Sequence, residues 1–337
     1  MIIMAKKSKS ENNNKKEESE INQKERQYNL KDLPGVGDIT LKKLKKAGIT
    51  SIRNLAMMSV ARLMEDTGLG EKTALKLIRT AQEIEKMGFK SANQIWEKRK
   101  LMRKLTTGSR NLDELLGGGI ETGAITELYG EYRTGKTQLA HQLCVNVQLP
   151  YDEGGLEGAA LFIDTEGTFR PERIIQIAEA LNLDYNKVLK NIIVGRAYNS
   201  DHQILLLKEA SKIIDEKNIK LIVIDSIIGH FRSEYIGRGT LATRQQILNN
   251  HIHDLHRLTE IYDELAAVFT NQVASSPDVF YGNPTKPTGG NIIAHGATIR
   301  IYLRKGKGEQ RIAKIVDAPN LPEEETIFLI TDEGIRD

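Results

Sequence analysis

The chain has 337 residues, 39% hydrophobic and 28% charged, enough for one large domain and a smaller one. Its net charge of +3 is too small to indicate a partner, and the single cysteine, Cys144, excludes an internal disulfide or a cysteine-based metal site and suits a reducing compartment. No run approaches the roughly 20 apolar residues that span a bilayer, and Met1-Ile2-Ile3-Met4 is too short for a signal-peptide core, so a cytoplasmic protein with no membrane attachment is expected. Residues 1–28 are Lys, Glu, Asn and Ser with almost nothing apolar after Met4, a composition that cannot offset chain entropy by burial. They read as a disordered, solvated tail.

Residues 29–85 carry short helical patterns, with ten Lys/Arg against five Asp/Glu from Asn29 to Arg79. Leu33-Pro34-Gly35-Val36-Gly37 is a tight turn, followed by Leu41, Leu44 and Ala47 at helical spacing and a stop at Gly48. A second turn, Thr67-Gly68-Leu69-Gly70, leads into Ala74, Leu75, Leu77 and Ile78. Gly-x-Gly turns that open helices present backbone N–H groups to a phosphate without reading a base, which makes Gly35 and Gly37 candidate DNA contacts. The first turn resembles a helix-hairpin-helix DNA-binding element; the alternative is a helical bundle that mediates protein contacts. Residues 86–104 form a charged connector, with Glu97-Lys98-Arg99-Lys100 as a helical, solvated run. It contains Phe89-Lys90-Ser91-Ala92, which on its own reads as local packing.

From about Leu105 apolar runs alternate with amphipathic helices. Strands are expected at Ile125–Tyr129, Ala160–Asp164, Ile192–Val194, Leu221–Asp225 and Ala267–Thr270. Apolar runs without period-two alternation imply strands covered on both faces, hence a mostly parallel sheet in an α/β fold. Three later β-type runs, Thr298–Leu303, Arg311–Val316 and Ile327–Ile330, begin with a hairpin at Lys305-Gly306-Lys307-Gly308, so the sheet should end in antiparallel strands. Asp152–Gly158 reads as a surface loop.

Gly130-Glu131-Tyr132-Arg133-Thr134-Gly135-Lys136-Thr137 fits the phosphate-binding loop G-x-x-x-x-G-K-[ST], between a strand and a helix that continues with Gln138. Its backbone N–H groups suit a β-phosphate, Lys136 the β- and γ-phosphates, and the Thr137 hydroxyl a Mg²⁺ ion. Asp225 closes a buried strand and is placed to hold the Mg²⁺ shell. Glu166, just past the strand that ends at Asp164, suits positioning of a water in line with the γ-phosphate; on spacing alone it is equally a helix N-terminal acid.

Together these motifs resemble the RecA-type recombinases, the archaeal RadA proteins and their eukaryotic relatives above all. The likeness rests on the loop at 130–137, Asp-Thr-Glu-Gly-Thr-Phe-Arg-Pro-Glu-Arg (164–173), Gly-Arg-Gly-x-Leu-Ala-x-Arg-Gln (237–245), Thr-Asn-Gln-Val (270–273) and Gly-Gly-Asn-Ile-Ile-Ala-His (289–295). It covers Leu30 to Asp337. It implies a RecA-type phosphate-loop ATPase core over 105–337, preceded by a small all-α helix-hairpin-helix domain, with ATP between adjacent subunits of a helical filament. Carried over by motif, Glu166 is the catalytic carboxylate, Arg173 stacks on the adenine, Gln272 senses the γ-phosphate, His295 relays that state, and Asp317 caps ATP bound by a neighbour. Phe89 and Ala92 match the family's polymerisation motif. Two DNA-binding loops are implied, one with Arg232, Tyr235, Arg238 and Arg244, the other over 274–288 with Phe280 and Lys286. Arg133-Thr134 departs from the Gly-Ser common in archaeal members and matches the eukaryotic form, and His230 has no assigned role.

The resemblance therefore implies ATP-dependent pairing and exchange of single- and double-stranded DNA by filaments or rings, with recombination mediators as further partners. Two other readings compete. One is an accessory paralogue that binds nucleotide without exchanging strands, although such proteins often lack the N-terminal domain or the DNA loops. The other is a ring helicase on the same core.

Overall fold

A computed structural model describes residues 28–275 and 285–337; apart from Tyr28, the tail read over 1–28 lies outside the described residues. The contacts divide the chain into two units at Met87/Gly88. In the first, helices α1 (Asp38–Lys46), α2 (Ile52–Ala56), α3 (Val60–Thr67) and α4 (Glu71–Ile84) surround Leu44, Leu55, Leu63 and Leu77, all fully buried. The expected turns are where the glycines place them. Gly35 has φ +96° and Gly68 φ +64°, conformations that a side chain resists, while Gly37 and Gly70 stand at the N-caps of α1 and α4. The Lys43 ammonium donates to the Gly68 carbonyl at 3.4 Å, tying the first hairpin to the second turn.

The second unit opens with Phe89 fully exposed and then α5 (Ala92–Lys100), where Ser91 and Gln94 form a reciprocal capping box. The run at 97–100 is helical and exposed as read, with Arg99 paired to the buried Glu121 at 3.0 Å and Lys98 to Asp263 at 2.9 Å. A short ribbon, β1 (Lys104–Leu105) with β2 (Ile120–Glu121), encloses α6 (Arg110–Leu115).

The main sheet contains β3 (Ile125–Gly130), β4 (Ala159–Asp164), β5 (Ile192–Arg196), β6 (Ile219–Asp225), β7 (Ala266–Ser275), β8 (Thr285–Pro287), β9 (Ile299–Lys305), β10 (Gln310–Asp317), β11 (Glu325–Thr331) and β12 (Gly334–Arg336). Its order is β12-β11-β10-β9-β3-β7-β6-β4-β5, with β8 paired to β7. The run from β9 to β5 is parallel and the last three strands are antiparallel, as read from the apolar runs. Both β3 and β4 are buried at every residue, and the two sets of alternating side chains feed separate cores. Leu128, Phe162, Val223 and Val268 pack with α7 (Lys136–Asn146), α8 (Pro171–Ala180) and α9 (Tyr185–Lys190). Ile163, Ile222, Ile224 and Phe269 pack with α10 (Ser200–Ile213) and α12 (Leu241–Ile261). Strands covered by helices on both faces need no polar face, hence the unbroken apolar sequence.

Two readings change. Asp152–Gly158 is not simply a surface loop: Leu156 is fully buried, and a Cβ on Gly155 would lie 1.9 Å from the Leu149 carbonyl oxygen, so the glycines let the chain fold against the end of α7. The first expected DNA loop is largely helical, formed by α11 (Gly229–Glu234), a 3-10 turn at Arg238–Thr240 and the start of α12. Gly237, at φ +88°, separates the pieces.

One feature of the sheet is costly. Glu127, in the middle of β3, is fully buried and pairs with Arg300 of β9 at 2.6 Å. Burial raises the Glu127 pKa even against the opposing effect of the guanidinium. Truncating one partner strands the other charge in the interior, so Glu127→Ala should lower unfolding stability by about 3–5 kcal/mol, measured by denaturant titration. Cys144 is free and buried in α7, and burial pushes its thiol pKa up. Among the described residues, no helix is long and apolar enough to cross a membrane.

Candidate nucleotide site

The site lies at the carboxyl ends of the parallel strands β3, β6 and β4, beside β7, which runs on to Ser275. Gly130 stands opposite Gln272, and Asp164 opposite Asp225. The last residue of β3 is glycine because β9 passes too close for a side chain: a Cβ at Gly130 would meet the Leu303 carbonyl oxygen at 2.1 Å. Gly135, at φ +101°, turns the loop into α7, whose first residue is Lys136. Arg133 takes a left-handed φ of +63° without being glycine, and its guanidinium lies over the exposed Tyr132 ring, 5.5 Å from the centroid. The Lys136 ammonium curls back onto its own loop, donating to the carbonyls of Gly130 at 2.9 Å and Glu131 at 2.8 Å, while the Thr134 hydroxyl donates to Glu131 at 2.9 Å. Burial lowers the Lys136 pKa, and Asp225 and Glu166 oppose that shift.

Asp225 is buried and accepts hydrogen bonds from the Thr137 hydroxyl at 2.8 Å and from the Thr270 hydroxyl. Desolvation raises its pKa despite both bonds. A carboxylate and a hydroxyl are hard oxygen donors of the kind Mg²⁺ uses alongside phosphates and water. The Thr137 hydroxyl and the Asp225 carboxylate, 2.8 Å apart, supply two such oxygens and so fit a Mg²⁺ ion. Among the described residues, no group of three or more His, Cys, Asp or Glu could hold a metal ion.

The loop after β4 is organised by Asp164, to which the sequence reading assigned no role. One carboxylate oxygen accepts from the backbone N–H groups of Glu166, Gly167 and Thr168 at 3.1, 2.7 and 3.1 Å, and the other from Phe169 at 3.3 Å. The only sequence signal for this was an aspartate ahead of a Gly-containing turn. His141 of α7 supports the same loop. It stacks on Phe162 and accepts from the Arg170 N–H at 3.2 Å, and burial pulls its pKa down to about 4.

Glu166 is thereby held exposed, with Oε1 accepting from the Ser226 hydroxyl at 2.7 Å and from the Gln272 amide at 2.8 Å. Helix α8 starts only at Pro171, with Glu172 as its first-turn acid, so Glu166 lies outside the helix and the N-terminal-acid reading lapses. Arg173 donates to Gln138 at 2.7 Å and to the carbonyls of Thr331 and Asp332 at 2.6 and 2.7 Å, which fixes its guanidinium between α7 and the β11–β12 turn.

The other expected residues are more scattered. His295 lies in α13 (Gly290–Gly296) and lines a cleft with His253, His256 and Asn249. Asp317 ends β10 opposite Arg300, which itself faces Glu127, three residues back from Gly130 along the neighbouring strand. Arg232 is exposed, Arg244 is half-buried, and Tyr235 packs partly against the core that holds Phe231. The ring nitrogen Nε2 of His230 is 3.0 Å from the Ala197 carbonyl oxygen, a structural contact. Phe280 lies outside the described residues, as do the side chains of Arg238 and Lys286.

The Rad51 family model matches residues 98–337, and that of the SAM-like helix-hairpin-helix tandem matches residues 28–83. The chain is 52% identical over 308 residues to the "DNA repair and recombination protein RadA" of Aeropyrum pernix, an alignment that covers 91% of this chain and 96% of that protein.

Proposed function

This chain belongs to the Rad51 family, whose members are DNA-dependent ATPases of recombination and repair, and we propose that it performs ATP-dependent homologous pairing and strand exchange as a filament on single-stranded DNA. The observation that carries the reading is the contact of Glu166 with both Gln272 and Ser226 beside the phosphate loop. A water-activating carboxylate joined to an amide at a strand end gives the γ-phosphate one group that promotes its hydrolysis and another that registers its presence.

In this reading the backbone from Gly130 to Gly135 cradles the phosphates, Lys136 neutralises their charge, and Thr137 with Asp225 holds Mg²⁺. Arg173 and Gln138 border the base, and Asp317 faces the nucleotide of the next subunit. Assembly into filaments or rings is supported by the full exposure of Phe89 beside Ala92 and by the open edge of the sheet at β5. The unit at 29–85, with Gly35 and Gly37, and the residues Arg232, Tyr235, Arg238, Arg244, Phe280 and Lys286 form the DNA-contacting set. Residues 86–104 serve as the linker. Recombination mediators are the further partners, and the compartment is the cytoplasm.

Electron microscopy with single-stranded DNA tests the reading directly. Regular helical filaments should form with a non-hydrolysable ATP analogue, and their equal formation without nucleotide sinks it. A D-loop assay separates a recombinase from an accessory paralogue, and unwinding of a forked duplex would favour a helicase. Arg238→Ala should reduce the slope of log affinity against log salt by about one, because one phosphate contact is lost; an unchanged slope removes Arg238 from the DNA-binding set.

A further inference from the structure

Gln272 is held more tightly than a sensor side chain alone requires. Its backbone N–H donates to the Asn271 side-chain oxygen at 2.8 Å, and its carbonyl accepts from the Thr288 N–H at 2.8 Å. The Thr288 hydroxyl lies 2.8 Å from that same Asn271 oxygen and 2.9 Å from the Gln272 carbonyl, and so shares its proton between them. The Asn271 amide nitrogen donates to the Thr288 carbonyl at 2.9 Å and to Glu127 at 2.7 Å. Asn271 is fully buried and Thr288 nearly so, hence neither finds a replacement partner in water. These bonds join the chain on either side of residues 276–284, next to the amide that reaches Glu166.

The support beneath Asn271 is the Glu127–Arg300 pair. An apolar pair would hold a sheet at least as well, since desolvation offsets most of the attraction between buried charges. The pair is not optimised for stability either, because Arg300 Nη2 is buried without a hydrogen-bond partner among the described residues. What it does supply is direction: one Glu127 oxygen binds Arg300 and the other fixes the Asn271 amide.

We propose that Asn271 and Thr288, seated on the buried Glu127–Arg300 pair, are positioning residues that lock Gln272 against Glu166 and so make hydrolysis respond to bound DNA. This rests on the reading of the chain as a DNA-dependent ATPase. If the clamp holds, displacement of Thr288 moves the Gln272 backbone directly, since both of its polar groups are tied to the clamp. If it does not, the same displacement is absorbed between Thr288 and Gln272.

The test uses the full chain and reads ATP turnover with and without single-stranded DNA. Thr288→Val keeps the shape and removes the hydroxyl, while Thr288→Ser keeps the hydroxyl. The ratio of DNA-stimulated to basal turnover should fall about tenfold in Thr288→Val and in Asn271→Ala, as expected when a reacting group is misplaced by a fraction of an ångström to an ångström. It should stay within about twofold of wild type in Thr288→Ser, and affinity for single-stranded DNA with a non-hydrolysable analogue should stay within about threefold in all three. Melting curves identify any variant that fails to fold, and the remaining threonine variant then carries the test. A wild-type ratio in folded Thr288→Val overturns the proposal. So does equal loss in Thr288→Ser, which shows that the hydroxyl and its two hydrogen bonds do not carry the effect, or a parallel loss of DNA affinity, which assigns it to binding. Absence of DNA stimulation in the wild type would instead overturn the ATPase reading itself.

Discussion

Lys136→Ala should lower ATP turnover by at least about a hundredfold and abolish strand exchange while leaving the fold in place. The ammonium lies at the mouth of the loop that opens α7, and among the described residues its hydrogen bonds go to the carbonyls of Gly130 and Glu131. These are loop carbonyls and not core contacts, so a melting temperature within about 3 °C of wild type is expected. The catalytic loss has a different origin. With Asp225 and Glu166 close enough to influence Lys136 electrostatically, the site holds two carboxylates, and a triphosphate adds several negative charges. In the proposed reading Lys136 is a cation set among them, and removing it leaves that charge without this counter-charge. Turnover by phosphate release, binding of a fluorescent nucleotide and a melting curve together decide the matter. Normal turnover in a folded variant removes the loop from the chemistry.

Much of this site was legible because it is local. The phosphate loop is a contiguous motif between a strand and a helix, and Asp225 and Asp164 end apolar runs that must be strands. The sheet was legible for a related reason: residues buried on both faces leave unbroken runs such as Leu221–Ile224. What the chain order hides is pairing across long separations. Glu127 and Arg300 are 173 residues apart, and nothing near either residue marks the other as its partner. Asn271 lay within a recognised motif, yet its hold on Thr288 depends on two segments meeting at the end of β7. Strands of two or three residues, β1, β2, β8 and β12, exist only through their neighbours and are too short for any periodicity. Asp152–Gly158 was misread because glycines permit a tight approach as readily as a free loop.

Glu166→Gln should separate hydrolysis from assembly. Glutamine keeps the side-chain length and still offers an oxygen to Ser226 and Gln272, so the loop that Asp164 organises has no cause to move. What disappears is the capacity to take a proton from water, worth about 10²–10⁴-fold in rate for a positioned base. Nucleotide affinity should stay within about threefold of wild type, and filaments formed with ATP should persist as they do with a non-hydrolysable analogue. The contrast with Lys136→Ala is informative, because that change removes a positive charge the bound triphosphate needs, whereas this one removes a proton acceptor and its negative charge. A variant that still hydrolyses ATP at the wild-type rate would assign the water to another group. A variant that neither binds nucleotide nor assembles would assign the Glu166 charge to holding the site together instead of to hydrolysis, since the amide still accepts from Ser226 and Gln272.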